Sequence, residues 1–349
     1  MNRNKLLVFA IIGIIAVLGV SISLYYNEVP KPLHGVSIIA VGDTIGYNID
    51  VQNLTHLPTL INGTDIFIFN LEGVLVNSTE SCVKLSGQSL LTSDSTFVEY
   101  LNLAPVTIAN MANNHVLDCG PEGIEATKSA LRENNVLSVG AGQNIDEACK
   151  PLFVEINEWK LAFISYNFKE SGAVSATDIK AGAATLKNCN LDFDKLRSET
   201  HLIVASMHLG GPNDPDVNGM QVGVVEDLFN LGVDVVIGHS PHVPQAIMEK
   251  DGRIAFFSIG NFIFRPDYEM IPLAHTSIIP KIDFYSDRWE VTIIPIILDD
   301  DGIPKLSQDD KIISRIVVES SQFDTKIEMH DNLGHITISS LLAILTAKP

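Results

Sequence analysis

Basic residues are scarce in this chain: 23 Lys and Arg stand against 42 Asp and Glu, a formal net charge of −19 over 349 residues. Phosphate backbones are held by clustered Lys and Arg, and no such cluster occurs, so a nucleic-acid surface is excluded. The same deficit opposes tight binding of a polyanion unless a metal or a local basic patch intervenes. Cysteine is sparse as well. Cys82, Cys119, Cys149 and Cys189 show no C-x-x-C spacing, which argues against a thiolate zinc site. Their even number leaves room for one or two disulfides in an oxidising compartment, with the pairing open. Repeats and low-complexity tracts are absent. A composition that is 46% hydrophobic suffices for one large core or two modest ones, which excludes a mainly disordered chain.

Only one uncharged run is long enough to span a bilayer. Residues 6–26 form 21 positions without a charge, and at about 1.5 Å per residue they cross a hydrocarbon core of roughly 30 Å. Arg3 and Lys5 precede the run, which predicts a cytoplasmic N-terminus and an extracytoplasmic domain beyond Asn27. No A-x-A-like site follows, so a retained single-pass membrane helix over 1–26 is expected instead of a cleaved signal peptide. The apolar stretch over 336–345 is too short for a second span. Acceptor triplets at Asn53-Leu-Thr, Asn62-Gly-Thr and Asn77-Ser-Thr are compatible with an external domain.

After a linker over 27–35, apolar runs of strand length alternate with helical patterns, which predicts an α/β fold with a largely buried sheet. The runs predict strands at 36–41, 65–70, 105–110, 161–166, 202–207 and 233–237. Helices are expected at 121–134, opened by Gly120-Pro121-Glu122, and at 221–231. Beyond Phe264 antiparallel strands are expected at 276–284 and 289–298. The domain is thus drawn over 36–300, with 301–349 as a C-terminal extension.

Polar residues follow five of these apolar runs, where open α/β sheets place their ligands. The first run leads to Gly42-Asp43, the second to Asn70-Leu71-Glu72, and the third to Asn113-Asn114-His115 with Asp118. The later runs lead to His208-Leu-Gly-Gly and to Gly238-His239-Ser240-Pro241-His242. Carboxylate, amide and imidazole without thiolate suit a divalent ion such as Mn²⁺, Zn²⁺, Fe²⁺ or Mg²⁺. The predicted ligands are Asp43, Glu72, Asn114, His208, His239 and His242, for one or two ions.

This ordered set, with Gly140-Ala141-Gly142 and Ser258-Ile259-Gly260-Asn261-Phe262, resembles the CapA-type capsule-synthesis proteins over about residues 36–264. That family is associated with poly-γ-glutamate biosynthesis and export, and is related to calcineurin-like metallophosphoesterases. The resemblance implies a four-layer α/β/β/α metallophosphoesterase-like sandwich. It implies that Glu72 bridges two metals, with Asn114, His208 and His239 completing one position and Asp43 and His242 serving the other. It also implies His115 as a general acid, oriented by Asp118. The chain departs from the related enzymes at Ile45, where a ligating His is usual. It departs from the family at Asn48 and Pro212, where Arg and Glu are frequent.

Three functions follow as expectations: a role outside the membrane in capsule-polymer synthesis or export, with other synthesis proteins and an anionic polymer as partners; a metal-dependent phosphoesterase; and a non-catalytic binding module.

Overall fold

The computed structural model describes residues 34–80, 82, 90–168, 174–264 and 271–339. The membrane helix expected over 1–26 lies outside the described residues. Among those described, no helix is long and apolar enough to cross a membrane.

The strands that frame the molecule are β1 (Val36–Thr44), β2 (Ile66–Leu71), β3 (Val106–Asn110), β4 (Val136–Val139), β5 (Leu152–Ile156), β6 (Trp159–Asn167) and β7 (Leu202–His208). They continue with β8 (Val235–His239), β9 (Ile247–Lys250), β10 (Arg253–Phe256), β11 (Thr276–Phe284), β12 (Arg288–Leu298), β13 (Glu328–His330) and β14 (Leu333–Ser339). Three longer helices accompany them, α1 (Gly120–Glu133), α2 (Gly219–Asn230) and α3 (Lys311–Ser320). One sheet has the order β13-β14-β12-β11-β1-β2-β3-β4, and the other β9-β10-β8-β7-β6-β5. The strands from β1 to β4 run parallel to one another, as do β6, β7, β8 and β10. Antiparallel strands complete both sheets.

Three apolar interfaces fix the layering. Ile38 and Ala40 of β1 and Ile68 of β2 pack with Phe163, Val204 and Ile237 of the second sheet. Their neighbours in sequence, Ile39, Val41, Phe67 and Phe69, point the other way and meet Ile124 and Leu131 of α1. On the far side Ile164, Ile203 and Ala205 meet Val225 and Leu228 of α2. The order is therefore helix, sheet, sheet, helix. Both faces of the parallel strands are covered, which is why their sequences read as unbroken apolar runs.

The antiparallel strand expected at 276–284 has those bounds, and the second begins one residue earlier, at Arg288. The strands carrying candidate ligands extend further than their apolar runs. Asp43, His208 and His239 lie within β1, β7 and β8 instead of after them, because their backbones still pair in register with Asn70, with Asn167 and with each other. The described part of the C-terminal extension joins the first sheet: Pro304–Leu306 and β14 both pair with β12.

All four cysteines are paired, Cys82 with Cys119 and Cys149 with Cys189, at sequence separations of 37 and 40. Loop closure of that length stabilises by about 4 kcal/mol per bridge in the chain-entropy model. Reduction with dithiothreitol is accordingly expected to lower the melting temperature by ten degrees or more, as followed by circular dichroism; an unchanged melt would count against the pairing.

Candidate metal centre

The site lies where the two sheets present polar rows to each other. In the first sheet Asn261, Asp43, Asn70 and Asn110 are register partners on neighbouring parallel strands. In the second, Asn167, His208 and His239 are aligned in the same way. Parallel register alone thus gathers residues distant in sequence. Two glycines let the chains close in: a Cβ on Gly42 would stand 1.9 Å from the carbonyl oxygen of Gly260, and one on Gly238 2.0 Å from that of Phe257. Any side chain there would push apart the strands that carry Asp43 and His239.

Asp43 and Glu72 are buried at 0% and 1% exposure. His242 Nδ1 lies 3.1 Å from Asp43 Oδ2 and 3.7 Å from Glu72 Oε2. His239 Nδ1 is 3.6 Å from Asp43 Oδ1, and His208 Nε2 is 3.8 Å from Glu72 Oε1. The turn after β8 makes this possible, since Ser240 and His242 take positive φ values of 99° and 60° that swing His242 back toward Asp43. Asp43, Glu72 and His242 each offer a ligand atom within 4.8 Å of the others, the one such group of acidic, His or Cys residues found among the described residues.

Buried amides hold the carboxylate of Asp43. Asn70 Nδ2 donates to Asp43 Oδ1 at 2.7 Å, and Asn70 Oδ1 accepts from Asn110 Nδ2 at 2.9 Å and from Asn113 Nδ2 at 3.3 Å. Ser165 of the second sheet donates to Asn110 Oδ1, which joins the two sheets. His242 Nδ1 is also 3.0 Å from Asn261 Oδ1. None of these asparagines was among the expected ligands or catalytic residues. The available signal was an Asn at the polar end of an apolar strand, where a buried amide must find partners.

His115 is joined to this network through Asn113, whose Oδ1 accepts from the His115 backbone N–H at 3.0 Å. Its Nδ1 donates to Asp118 Oδ2 at 2.8 Å, and the same oxygen accepts from the backbone of Leu91 at 2.8 Å. Asn114 Oδ1 is buried without a hydrogen-bond partner, and so are both ring nitrogens of His239.

The electrostatics call for a cation. Burial would raise the pKa of Asp43, but the hydrogen bond and charge of His242, with His239 and His208 behind it, hold it well below the carboxylate range. Burial also works against charge on His242, yet Glu72 and Asp43 push its pKa up to about 9. Burial brings His239 down to about 4, keeping it in the neutral form that ligates metals. A divalent ion answers both features: it compensates two buried carboxylates better than a proton on His242, and it gives the buried acceptors of Asn114 and His239 a partner. The donor set fits such an ion.

These shifts carry a sign for the chelator-treated protein. The His242 pKa is raised, so its contribution is complete below about pH 6.5 and lost as pH rises through about 9. That of Asp43, whose pKa is depressed, is present above about pH 3.8 and lost at lower pH. Thermal melts in EDTA are expected to fall between pH 6.5 and 9, and a flat profile across that window would contradict the His242 contacts.

A family model for the bacterial capsule synthesis protein PGA_cap matches residues 38–266. The chain belongs to this family. It is 26% identical over 216 residues to the capsule biosynthesis protein CapA of Bacillus anthracis, covering 60% of this chain and 53% of that protein. To the PGA biosynthesis protein CapA of Bacillus subtilis it is 27% identical over 243 residues, covering 64% and 60%. The match thus spans little more than half the length of these relatives. Among solved structures, the 5'-nucleotidase of Candida albicans aligns with a TM-score of 0.43 at 11% identity, covering 86% of this chain and 56% of that one.

Of the eight predicted site residues, Asp43, Glu72, His208, His239 and His242 are linked by contacts of 3.1–3.8 Å, His115 pairs with Asp118, and Asn114 is buried next to His115 in the chain. The three closest ligand atoms belong to Asp43, Glu72 and His242. That is the position expected to be short of one protein ligand, at Ile45.

Proposed function

We propose that this chain is an extracytoplasmic protein of capsule-polymer synthesis or export, tethered by the helix at 1–26 through the linker at 27–35. Its domain over 36–300, with the extension at 301–349, carries a divalent-metal centre. Asp43, Glu72, Asn114, His208, His239 and His242 hold the ion or ions. The observation that carries this reading is the pair of buried carboxylates enclosed by three buried imidazoles. Family membership supports the polymer role, and the positive flank before residues 6–26 supports the orientation.

The contact of His115 with Asp118 favours a hydrolytic reaction at this centre, with a phosphate ester as the substrate class. Asp118 accepts the hydrogen bond from Nδ1–H and fixes the ring, so that the imidazolium form gives its Nε2 proton to a leaving oxygen and remains a neutral ring protonated on Nδ1. The metal, when bound, supplies Lewis-acid polarisation. Asn113 holds the loop in place by accepting from the backbone N–H of His115 at 3.0 Å.

The full-length chain in detergent, stripped with EDTA and titrated with Mn²⁺, should take up about one or two ions per chain. Uptake well below one ion would refute the centre. Turnover of a panel of phosphomonoesters and phosphodiesters, lost in His115→Ala, would establish the reaction, whereas equal rates in both proteins would reject it. A C-terminal alkaline phosphatase fusion should be active, since that enzyme needs an oxidising compartment; an inactive fusion would reverse the topology.

A further inference from the structure

The turn that delivers His242 to the centre is strained. Ser240 and His242 hold φ values of 99° and 60°, in a region that is costly for any residue with a Cβ and persists only where the surroundings over-determine it. Part of that support comes from the loop after β7, residues 209–218. Ser240 Oγ donates to Gly210 O at 3.0 Å, and Asn213 N donates to Pro241 O at 2.8 Å. The loop that begins at His208 thus grips the turn that carries His242. With five non-helical residues between Gly210 and Asp216, the loop has to be fastened in its own right.

The fastening is Gln245, at the exit of the turn. Its backbone N–H donates to Ser258 O at 2.9 Å. Its side-chain Nε2 donates to two carbonyl oxygens of the loop, those of Asp214 at 2.8 Å and Asp216 at 3.1 Å. Its Oε1 accepts from Gln221 Nε2 at 2.9 Å. Gln221 is fixed in turn at the start of α2, where its Oε1 accepts from Asn218 N at 3.2 Å. It also lies against the loop, since a Cβ on Gly210 would stand 2.8 Å from Gln221 Nε2. Both glutamines are buried at 0% exposure. Each of these side-chain bonds runs to backbone or to the other glutamine, so none of them goes to a metal ligand.

We propose that Gln245 and Gln221 are positioning residues of the metal centre, a buried lock that keeps the 240–242 turn in its strained form and His242 Nδ1 at 3.1 Å from Asp43 Oδ2. The inference rests on the reading of this site as a metal centre. The bonds form a closed circuit from the turn through Gln245 to the loop, and from the loop back to the turn. Cutting it at Gln245 frees the carbonyls of Asp214 and Asp216, which water then claims. The loop withdraws Gly210 O and Asn213 N from the turn, the positive φ values relax, and His242 leaves Asp43. Asn261 Nδ2 still donates to His242 O at 3.2 Å, and the two carboxylates stay in place. Affinity for the ion is therefore weakened instead of abolished, by about 10–100-fold, the worth of a partner that orients a ligand.

The test uses full-length protein in detergent, stripped with EDTA and studied well below every melting temperature. Mn²⁺ affinity is read by calorimetry, and the visible absorption of bound Co²⁺ reports the ligand geometry. Gln245→Met and Gln221→Met keep most of the volume and remove the amide. Ser320→Ala is the control: it deletes a buried bond to Ile247 N at 2.8 Å, outside the circuit. Both glutamine variants are expected to bind Mn²⁺ about ten-fold or more weakly and to shift the Co²⁺ bands, with Ser320→Ala matching wild type in both readouts. If Gln245→Met does not fold, Gln221→Met decides, because it leaves both Gln245 Nε2 bonds in place. Glutamine variants with wild-type affinity and unchanged Co²⁺ bands would overturn the proposal. An equal loss in Ser320→Ala would do so too, since it would mark a general softening of the fold. Wild-type protein that takes up no Mn²⁺ refutes the centre itself, so the two failures give different results.

Discussion

Asp43→Asn is expected to lower the affinity of the full-length chain for Mn²⁺ by more than about 100-fold, because even outer partners of a metal ligand are worth 10–100-fold. The substitution keeps the shape of the side chain and an oxygen able to accept from Asn70 Nδ2, now at 2.7 Å from Asp43 Oδ1. What it removes is one of the two buried negative charges that draw a cation to this place. It also removes an anion whose charge raises the pKa of His242, so His242 becomes easier to deprotonate. The melting temperature in EDTA should fall as well, since the pairing of Asp43 with His242 contributes stability to the metal-free fold, so metal uptake is compared well below the melt of both proteins, which separates ligation from folding. Titration calorimetry on EDTA-stripped protein measures the affinity. A dissociation constant within three-fold of wild type would remove Asp43 from the ligand set.

The legibility of this molecule followed its packing. Strands covered on both faces must be apolar at every position, so β1, β2, β3, β6, β7 and β8 stood out as runs even without alternation. The same rule exposed the centre: a run that must be apolar and ends in Asp43, His208 or His239 has a reason to do so. Glycines before Asp43 and His239 were visible, but their cause was not, since the carbonyls of Gly260 and Phe257 come from chain far away in sequence. Strand bounds were misjudged at Asp43, His208 and His239 because a change of side-chain polarity does not interrupt a backbone ladder. The amides were hardest to read. Asn in a sequence suggests a turn or cap, and only parallel register shows that Asn70 and Asn261 flank Asp43, with Asn110 beyond Asn70. Cysteine pairing was open for a related reason: spacing says nothing about which loops meet.

Asn70→Ala should be the costliest of these changes for the fold, about 4 kcal/mol, since each buried polar group left without a partner costs about 1–3 kcal/mol and a charged one more. Asn70 is the hub of the buried network, one bond given and two received. Asn113 suffers least when the hub is cut, because its Nδ2 already donates to Leu71 O at 2.7 Å. Asp43 Oδ1 and Asn110 Nδ2 lose their partners outright, in surroundings that exclude water. Urea denaturation at pH 7 measures the loss, and a change below about 1 kcal/mol, the net worth of one ordinary hydrogen bond, would show that the network is slack. Asn70→Asp distinguishes the donated bond from mere packing. It keeps the volume and the acceptors for Asn110 and Asn113 but turns a carboxylate toward Asp43, and two carboxylates so close share one proton. Its stability relative to wild type should recover as pH falls from 7 toward 4, whereas the deficit of Asn70→Ala, which has no proton to gain, should not close in that way.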